Sequence, residues 1–484
     1  MFLGIDIGTS AVKAAVIDDA GALIGEASAP LEVSRPHPTW SEQDPDDWWA
    51  AANAAVLGLA AEQRRAVQAV GLAGQMHGAT LLDAADKPLR PAILWNDGRA
   101  EAECAELESA EPRSRQITAN MAFPGFTAPK LLWTAKHEPE VFAATETVLL
   151  PKDYVRLKMT GEKATDASDA SGTLWLDVAN RRWSEEMLAA CGLGERHMPR
   201  LCEGLEVTGR LRPEVALGWG MNEVSVAAGG GDNAAAAVGA GVVADGDAFL
   251  SLGTSGVSFV ATDRLRADPD SGLHAFCHAL PGRWHQMSVM LSAASSLDWA
   301  ANLLCMDVPE LIDGASRADD RATPIFLPYL TGERTPHADP LARAVFFGMT
   351  ADTDAPEIAR AVLDGVAMGL RDGLDVIVAA GSRVDSFTVV GGGSRSAYWG
   401  ELIAGALERP LVYREGGAVG PALGAARLAQ VASGAGTVQG SCAPPPVFDT
   451  AEPDPQIVQY FADRQPRFRA LYAALKSSFR NPVC

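Results

Sequence analysis

The stretch GIDIGTSAVKAAVID, Gly4 to Asp18, returns 245 residues later (Gly8 to Gly253) as FLSLGTSGVSFVATD, Phe249 to Asp263. Each copy reads as a short apolar strand, a Gly-Thr-Ser turn and a second alternating strand. A three-residue match arises easily by chance, but one that includes both flanking strands near the start of each half points to a duplicated unit. The chain has 484 residues, beyond the size at which a single core stops growing, so two domains are expected. We expect them at 1–245 and 246–484, with the boundary near Gly246.

In the first half FLGIDIGTSAVKAAVIDDAGALIGEASAP reads as three strands. A helix should follow from Asp44 as its cap, with Pro45 at the first position and Asp46 and Asp47 at the positive end. AVQAVGLAG is a buried strand that ends at QMHG. In the second half APEIARAVLDGVAMGLRDGLDVIVAAG predicts a long helix, and SFTVVGGGSRSAYWGELIAGAL predicts a strand, a glycine turn and a helix. SCAPPPVFDTAEPDP reads as a proline-rich connector to a terminal docking helix from about Gln456. Strands followed by helices of this kind make an α/β fold.

A formal charge of −21 argues against a nucleic-acid partner. Any polyanion must be held by local features, such as glycine loops and helix N-termini, against the overall field. The seven cysteines include no C-x-x-C pair, so neither a zinc site nor a disulfide framework is expected. No apolar run reaches the ~18 residues of a membrane helix, and MFLGIDIGTS has no basic leader pattern. We expect a cytoplasmic protein with no membrane partner.

Gly8, Thr9 and Ser10 in one turn, and Gly253 and Thr254 in the other, offer backbone N–H groups and hydroxyls to an oxyanion. Asp6 precedes the first turn and would repel phosphate unless Mg²⁺ bridged the two. The second copy has Ser251 in that place, and Lys13 can add positive charge to the first. Two ordinary β-turns remain the plain alternative for either loop alone. AAGGGDNAAAAVGAG, 227 to 241, sets Asp232 behind three glycines at a helix start. There it can be an N-cap or a reactive carboxylate. Gly391, Gly392 and Gly393 in VVGGGSRS can lie against a ring or a phosphate, or simply admit a tightly packed helix.

No G-x-x-x-x-G-K-[ST], H-R-D or D-F-G motif occurs, and GAGVVA at 239–244 closes a helix rather than opening one. Those facts argue against a P-loop, a protein kinase and a dinucleotide site. His274, His278 and His285 lack metal-ligand spacing on a known element and read as core or surface histidines. Trp95 to Arg99 can line a pocket or form a turn. Arg334 can reach a nucleotide or brace the interface between the halves, and bracing is the expectation.

GIDIGTS, QMHGATLLD, ILWNDGR, FTAPKLLW, LLPKDYVRLKMTGE, GGGDNAA, LSLGTSG, FLPYLTGERTPH and VVGGGSRS together resemble the FGGY carbohydrate kinase family over essentially the whole chain. The resemblance implies two duplicated ribonuclease-H-like domains of the actin/hexokinase/Hsp70 type, with ATP in the cleft between them and the sugar mainly against the first. By position it makes Asp232 the catalytic base and Asp6 the acid of the Mg²⁺-nucleotide loop. It assigns Gly8, Thr9, Ser10, Lys13, Gly253 and Thr254 to ATP phosphates, and Gly392 and Gly393 to adenosine. Met76, His77 and Asn233, with Asp232, become sugar contacts. At Lys13 glycerol-using relatives carry arginine, so bidentate phosphate contact is lost here. The expected reaction is ATP-dependent phosphorylation of a ketopentose, D-xylulose first, at its 5-hydroxyl. Another ketose such as L-ribulose, glycerol, or a non-catalytic sugar- or ATP-sensing protein on the same fold are the alternatives. Relatives of this kind are often dimers, so the resemblance admits a homodimer, while the sequence itself leaves the oligomeric state open.

Overall fold

The computed structural model describes residues 1–319, 323–391, 396–415 and 420–480. Two seven-stranded sheets organise it. The first takes β1 (Phe2–Ile7), β2 (Ala11–Ile17), β3 (Leu23–Pro30), β4 (Ala69–Gly74), β5 (Val207–Arg210) and β6 (Ser225–Ala227) in the order β5-β6-β4-β1-β2-β3. A two-residue strand, Gly230–Gly231, lies beside β4. The second takes β7 (Ala248–Leu252), β8 (Gly256–Thr262), β9 (His274–Cys277), β10 (Trp284–Met290), β11 (Phe387–Val390), β12 (Leu411–Arg414) and β13 (Val447–Ala451) in the order β9-β10-β8-β7-β11-β12-β13.

The repeat seen in the sequence is therefore a repeat of topology. β1 pairs antiparallel with β2 and parallel with β4, and β7 pairs antiparallel with β8 and parallel with β11. Each sheet adds one more parallel strand and closes with an antiparallel edge strand. That edge strand in the second sheet is β13, inside the stretch read above as a connector. Its side chains are mostly exposed, so no buried alternation marks it and the prolines before it dominate the pattern.

Helices cover the sheets. α1 (Pro45–Leu57) starts as the sequence expects: the Asp44 carboxylate accepts the Asp46 N–H at 2.9 Å and Pro45 opens the helix. The others that position the site are α2 (Pro151–Thr160), α3 (Asp232–Ala240), α4 (Ala355–Ala379), α5 (Ala397–Leu407), α6 (Gly420–Ala432) and α7 (Pro455–Phe479). α4 is the long expected helix, opened by a reciprocal Asp354–Glu357 capping box. α7 packs on α4 and α5 through Phe461 and Phe468, and Arg469 Nε meets Asp372 Oδ1 at 2.6 Å.

α6 comes from the second half of the chain yet packs on β1, β4 and α3 of the first. Small residues allow it. A methyl on Gly4 would stand 1.9 Å from the Ala422 oxygen, and one on Gly71 2.0 Å from the Ala425 oxygen. Arg427 of α6 donates to the carbonyls of Val238 and Gly239 at 3.1 Å, which satisfies the free C-terminal end of α3. With α1 on one face and α6 on the other, every residue of β1 is buried.

Candidate active site

Asp232 is set by three glycines whose roles differ. Gly230 and Gly231 pair with Ala73 and Gly74 at the end of β4. Gly229 has φ +79, and a β-carbon there would lie 1.8 Å from the Leu72 oxygen. Only glycine lets the chain turn this close to β4 before α3 begins. Asp232 is the first residue of α3, and the N-cap is Gly231. The capping role considered for Asp232 is therefore not the one it fills. Its Oδ1 accepts the Asn233 N–H at 2.7 Å and the Asn233 side-chain amide at 3.0 Å. Burial nonetheless pushes its pKa up to about 6, against those two hydrogen bonds. Desolvation also outweighs the helix N-terminus, whose positive end favours the charged form.

Asp6 lies in β1, across from Lys13 on β2 and beside Ala73 on β4. Burial first, and then the charge of Asp232, raise its pKa to about 7, while Lys13 pulls the other way. Its Oδ1 is buried without a hydrogen-bond partner. Two carboxylates close enough for one to raise the other, with one oxygen orphaned, suit a divalent cation. Among the described residues no group of three or more His, Cys, Asp or Glu side chains could hold a metal by itself. Such a cation would thus lean on phosphate and water for its remaining ligands.

The two Gly-Thr-Ser loops are pinned from behind. The Gly8 N–H donates to the Ala11 carbonyl and the Gly253 N–H to the Ser255 carbonyl, both at 3.1 Å. Those two amides are spent inside their turns, contrary to the expectation that the whole turn is free. Gln43 donates to the Thr9 carbonyl at 2.7 Å, and the Thr9 hydroxyl lies between Gln75 Oε1 at 3.0 Å and Trp95 Nε1 at 2.9 Å. In the second loop the Ala293 N–H and the Ser295 hydroxyl hold the Thr254 carbonyl at 2.9 and 2.8 Å. Ser10 and Lys13 are exposed. Gly392 and Gly393 lie outside the described residues.

On the sugar side expected from the sequence, Met76 is buried, and its Sδ would be 3.0 Å from a β-carbon on Gly231. His77 has a left-handed backbone, φ 70. Its Nδ1 is 2.7 Å from the Gly172 carbonyl, which can only accept, so Nδ1 carries the proton. Burial, aided by the Lys130 charge, drives its pKa down to about 3. The ring is neutral, and Nε2 is left as an acceptor for a hydroxyl. Lys130, fully buried, fixes the His77 carbonyl at 2.8 Å.

Trp95 is the member of the WNDGR stretch that reaches the first loop. Asp97 and Arg99 pair with each other at 2.7 Å, and the Arg99 guanidinium sits 3.8 Å over Trp40, so they brace it. His274, His278 and His285 are buried, as core histidines would be.

Gln75, Lys130 and Ser168 are residues that local patterns do not flag. The Ser168 hydroxyl accepts the Gly231 N–H at 3.0 Å and donates to Asp166, whose other oxygen meets the buried Lys152 ammonium at 2.9 Å. Gly172 of the same segment orients His77, and the Ser171 hydroxyl accepts the Cys277 N–H of β9 at 3.0 Å. A single seven-residue segment (166–172) thus ties the Asp232 loop, the His77 ring and the second sheet together. Its sequence, DASDASG, shows only a helix cap and polar residues.

Residues 1–239 match the N-terminal domain of the FGGY family of carbohydrate kinases, and residues 248–433 match its C-terminal domain. The chain is 54% identical over 479 residues to the xylulose kinase of Escherichia coli (strain K12), covering 98% of this chain and 99% of that protein. It is 53% identical over 480 residues to the xylulose kinase of Klebsiella pneumoniae, with the same coverage. The crystal structure of a xyloylose kinase from Brucella ovis superposes with a TM-score of 0.95 at 49% identity, covering 98% of this chain and 99% of that one.

Proposed function

The chain belongs to the FGGY family of carbohydrate kinases, with the two-part α/β fold of the actin and hexokinase type, and from that footing we infer that it is a xylulose kinase. It transfers the terminal phosphoryl group of ATP to the 5-hydroxyl of D-xylulose. The identity to xylulose kinases over nearly the whole chain supports the substrate. The observation that carries the mechanism is the half-buried Asp232 carboxylate whose charge reaches Asp6 and its orphaned oxygen.

A sugar alcohol is a poor nucleophile at neutral pH, and phosphoryl transfer needs it in line with the phosphorus and relieved of its proton. Asp232, raised to about 6, is ionised at pH 7 and basic enough to take that proton. Asn233 holds the carboxylate, Met76 walls the pocket and the neutral His77 Nε2 accepts a sugar hydroxyl. The loop amides other than those of Gly8 and Gly253, which their own turns consume, receive the phosphates, one loop from each sheet. Asp6 would hold Mg²⁺, which supplies charge neutralisation on the phosphates when bound. Closure of the halves around both substrates would exclude water and limit wasteful hydrolysis of ATP.

No helix among the described residues is long and apolar enough to cross a membrane. We place the enzyme in the cytoplasm, with its sugar and ATP as partners and a homodimer as its assembly.

An ADP-release assay over D-xylulose, L-ribulose, hexuloses and glycerol tests the substrate; a preference for glycerol would defeat it. The rate constant kcat/KM for the sugar should fall as the pH drops through about 6, because a protonated Asp232 cannot accept the hydroxyl proton. A profile flat from pH 5 to 8 would remove Asp232 as the base. Asp6→Asn should raise the Mg²⁺ concentration for half-maximal rate by on the order of 10-fold or more, read by titrating the metal at fixed ATP. An unchanged titration would move the cation elsewhere.

A further inference from the structure

Arg334 belongs to the second half of the chain, yet its guanidinium lies 4.9 Å from the ring centre of Phe123, in the first. It braces the two halves there, as the sequence suggests. Bracing uses little of its hydrogen-bonding capacity. One terminal nitrogen is 3.4 Å from His274 Nε2, a long contact. No ion pair engages Arg334 among the described residues. Its neighbour Glu333 spends its Oε1 on the N–H groups of Leu291 and Arg334, at 2.9 and 2.7 Å, and reaches the guanidinium only through its charge. A half-buried cation with five donors and one poor acceptor is poised for a ligand oxygen.

Its position indicates which ligand. Asn120 donates its amide to the carbonyls of Thr118 and Ala275, so its Oδ1 accepts from His274 Nδ1 at 3.1 Å. His274 is therefore neutral, with Nε2 facing Arg334. The His274 ring packs on Phe126 with centres 5.4 Å apart, and Phe126 packs on His77 at 4.7 Å. A continuous row thus runs from Asp232 past Met76 and His77 and along this aromatic wall to Arg334. The Arg334 charge is felt at both His77 and His274, so a sugar laid along this row with its 5-hydroxyl at Asp232 would carry its other end, with the C2 carbonyl, toward Arg334.

We propose that Arg334 is a specificity-determining residue that donates to the carbonyl end of the bound ketose, so that the second half of the chain reads the end of the sugar remote from the phosphoryl acceptor. A ketone oxygen accepts from a guanidinium in the carbonyl plane and carries no hydrogen, whereas the tetrahedral hydroxyl of a polyol must turn its own hydrogen away to accept at the same place. A site built around a donor discriminates against an analogue that leaves it poorly paired. The inference rests on the D-xylulose reading.

The test is kcat/KM for D-xylulose and for xylitol in the parent, Arg334→Gln and Arg334→Lys, together with KM for ATP. The Gln variant should lose about 10-fold or more of the D-xylulose over xylitol preference, mainly through a higher sugar KM. The Lys variant should recover part of it, and KM for ATP should hold in both. Equal losses on both sugars, or a raised KM for ATP with the sugar KM unmoved, would overturn the assignment. Should Arg334→Gln not fold, the Lys variant and calorimetric D-xylulose binding without nucleotide separate the same outcomes. A parent enzyme that favours xylitol defeats the D-xylulose reading and this inference with it. A parent that favours D-xylulose, with variants that keep its preference, defeats the role of Arg334 alone.

Discussion

Replacing Asp232 by asparagine should lower turnover by about 10²–10⁴-fold while D-xylulose still binds. Asparagine has the same outline and can keep an oxygen toward the Asn233 N–H, which now lies 2.7 Å from Oδ1. What it cannot do is take a proton. The same change should stabilise the protein at high pH. Burial raises the Asp232 pKa from about 4, its unfolded value, to about 6, so the folded state favours the protonated form. That contribution is full below pH about 4 and is lost as the pH rises through 6. At pH 8 the variant should therefore be more stable than the parent by on the order of 1 to 2 kcal/mol, allowing for the partial exposure of the group. Near pH 4 the two should unfold together. Turnover from ADP release, sugar binding by calorimetry and thermal unfolding at both pH values check this. Near-parental turnover would take Asp232 out of the chemistry.

Gly229→Ala should be nearly as damaging by a different route. Positive φ costs a non-glycine residue roughly 1–2 kcal/mol, and the added methyl would sit 1.8 Å from a backbone oxygen of β4. Neither the oxygen of Leu72 nor the turn can yield without breaking the pairing of Gly230 and Gly231 with Ala73 and Gly74. The loop must shift, and with it the first residue of α3. A displacement of about 1 Å at a reacting group can cost 10²-fold in rate. We expect a loss of turnover of that order together with a lowered unfolding temperature. Parental values of both would show that the loop is not pinned by β4.

The sequence carried the parts of this fold that local pattern encodes. The repeated strand–turn–strand, the capped start of α1 and the length of α4 all follow from neighbours within a few residues. Asp232 stood out because it follows three glycines at the start of a small-residue helix. What could not be read depends on residues far apart in the chain. The ionisation of Asp232 follows from burial, which no local rule supplies. The Gly8 and Gly253 amides are consumed by partners that only the hairpin geometry brings round. Ser168 matters through Gly231, 63 positions on, and β13 is a strand because β12 pairs with it rather than because of its own composition. The site roles themselves rest on the family resemblance, which supplied residue-by-residue meaning that spacing alone left open.

The duplication looks like a pair of separable cassettes, but α6 denies that. A polypeptide cut at 245 would leave its front piece with the bare floor of Gly4 and Gly71 where α6 should lie, and its rear piece carrying an apolar helix with no bed. Neither piece should purify as a monomeric, well-behaved product, although the two expressed together should reassemble. Any ancestral single unit must have closed that floor in another way, or lived as a pair that exchanged this helix.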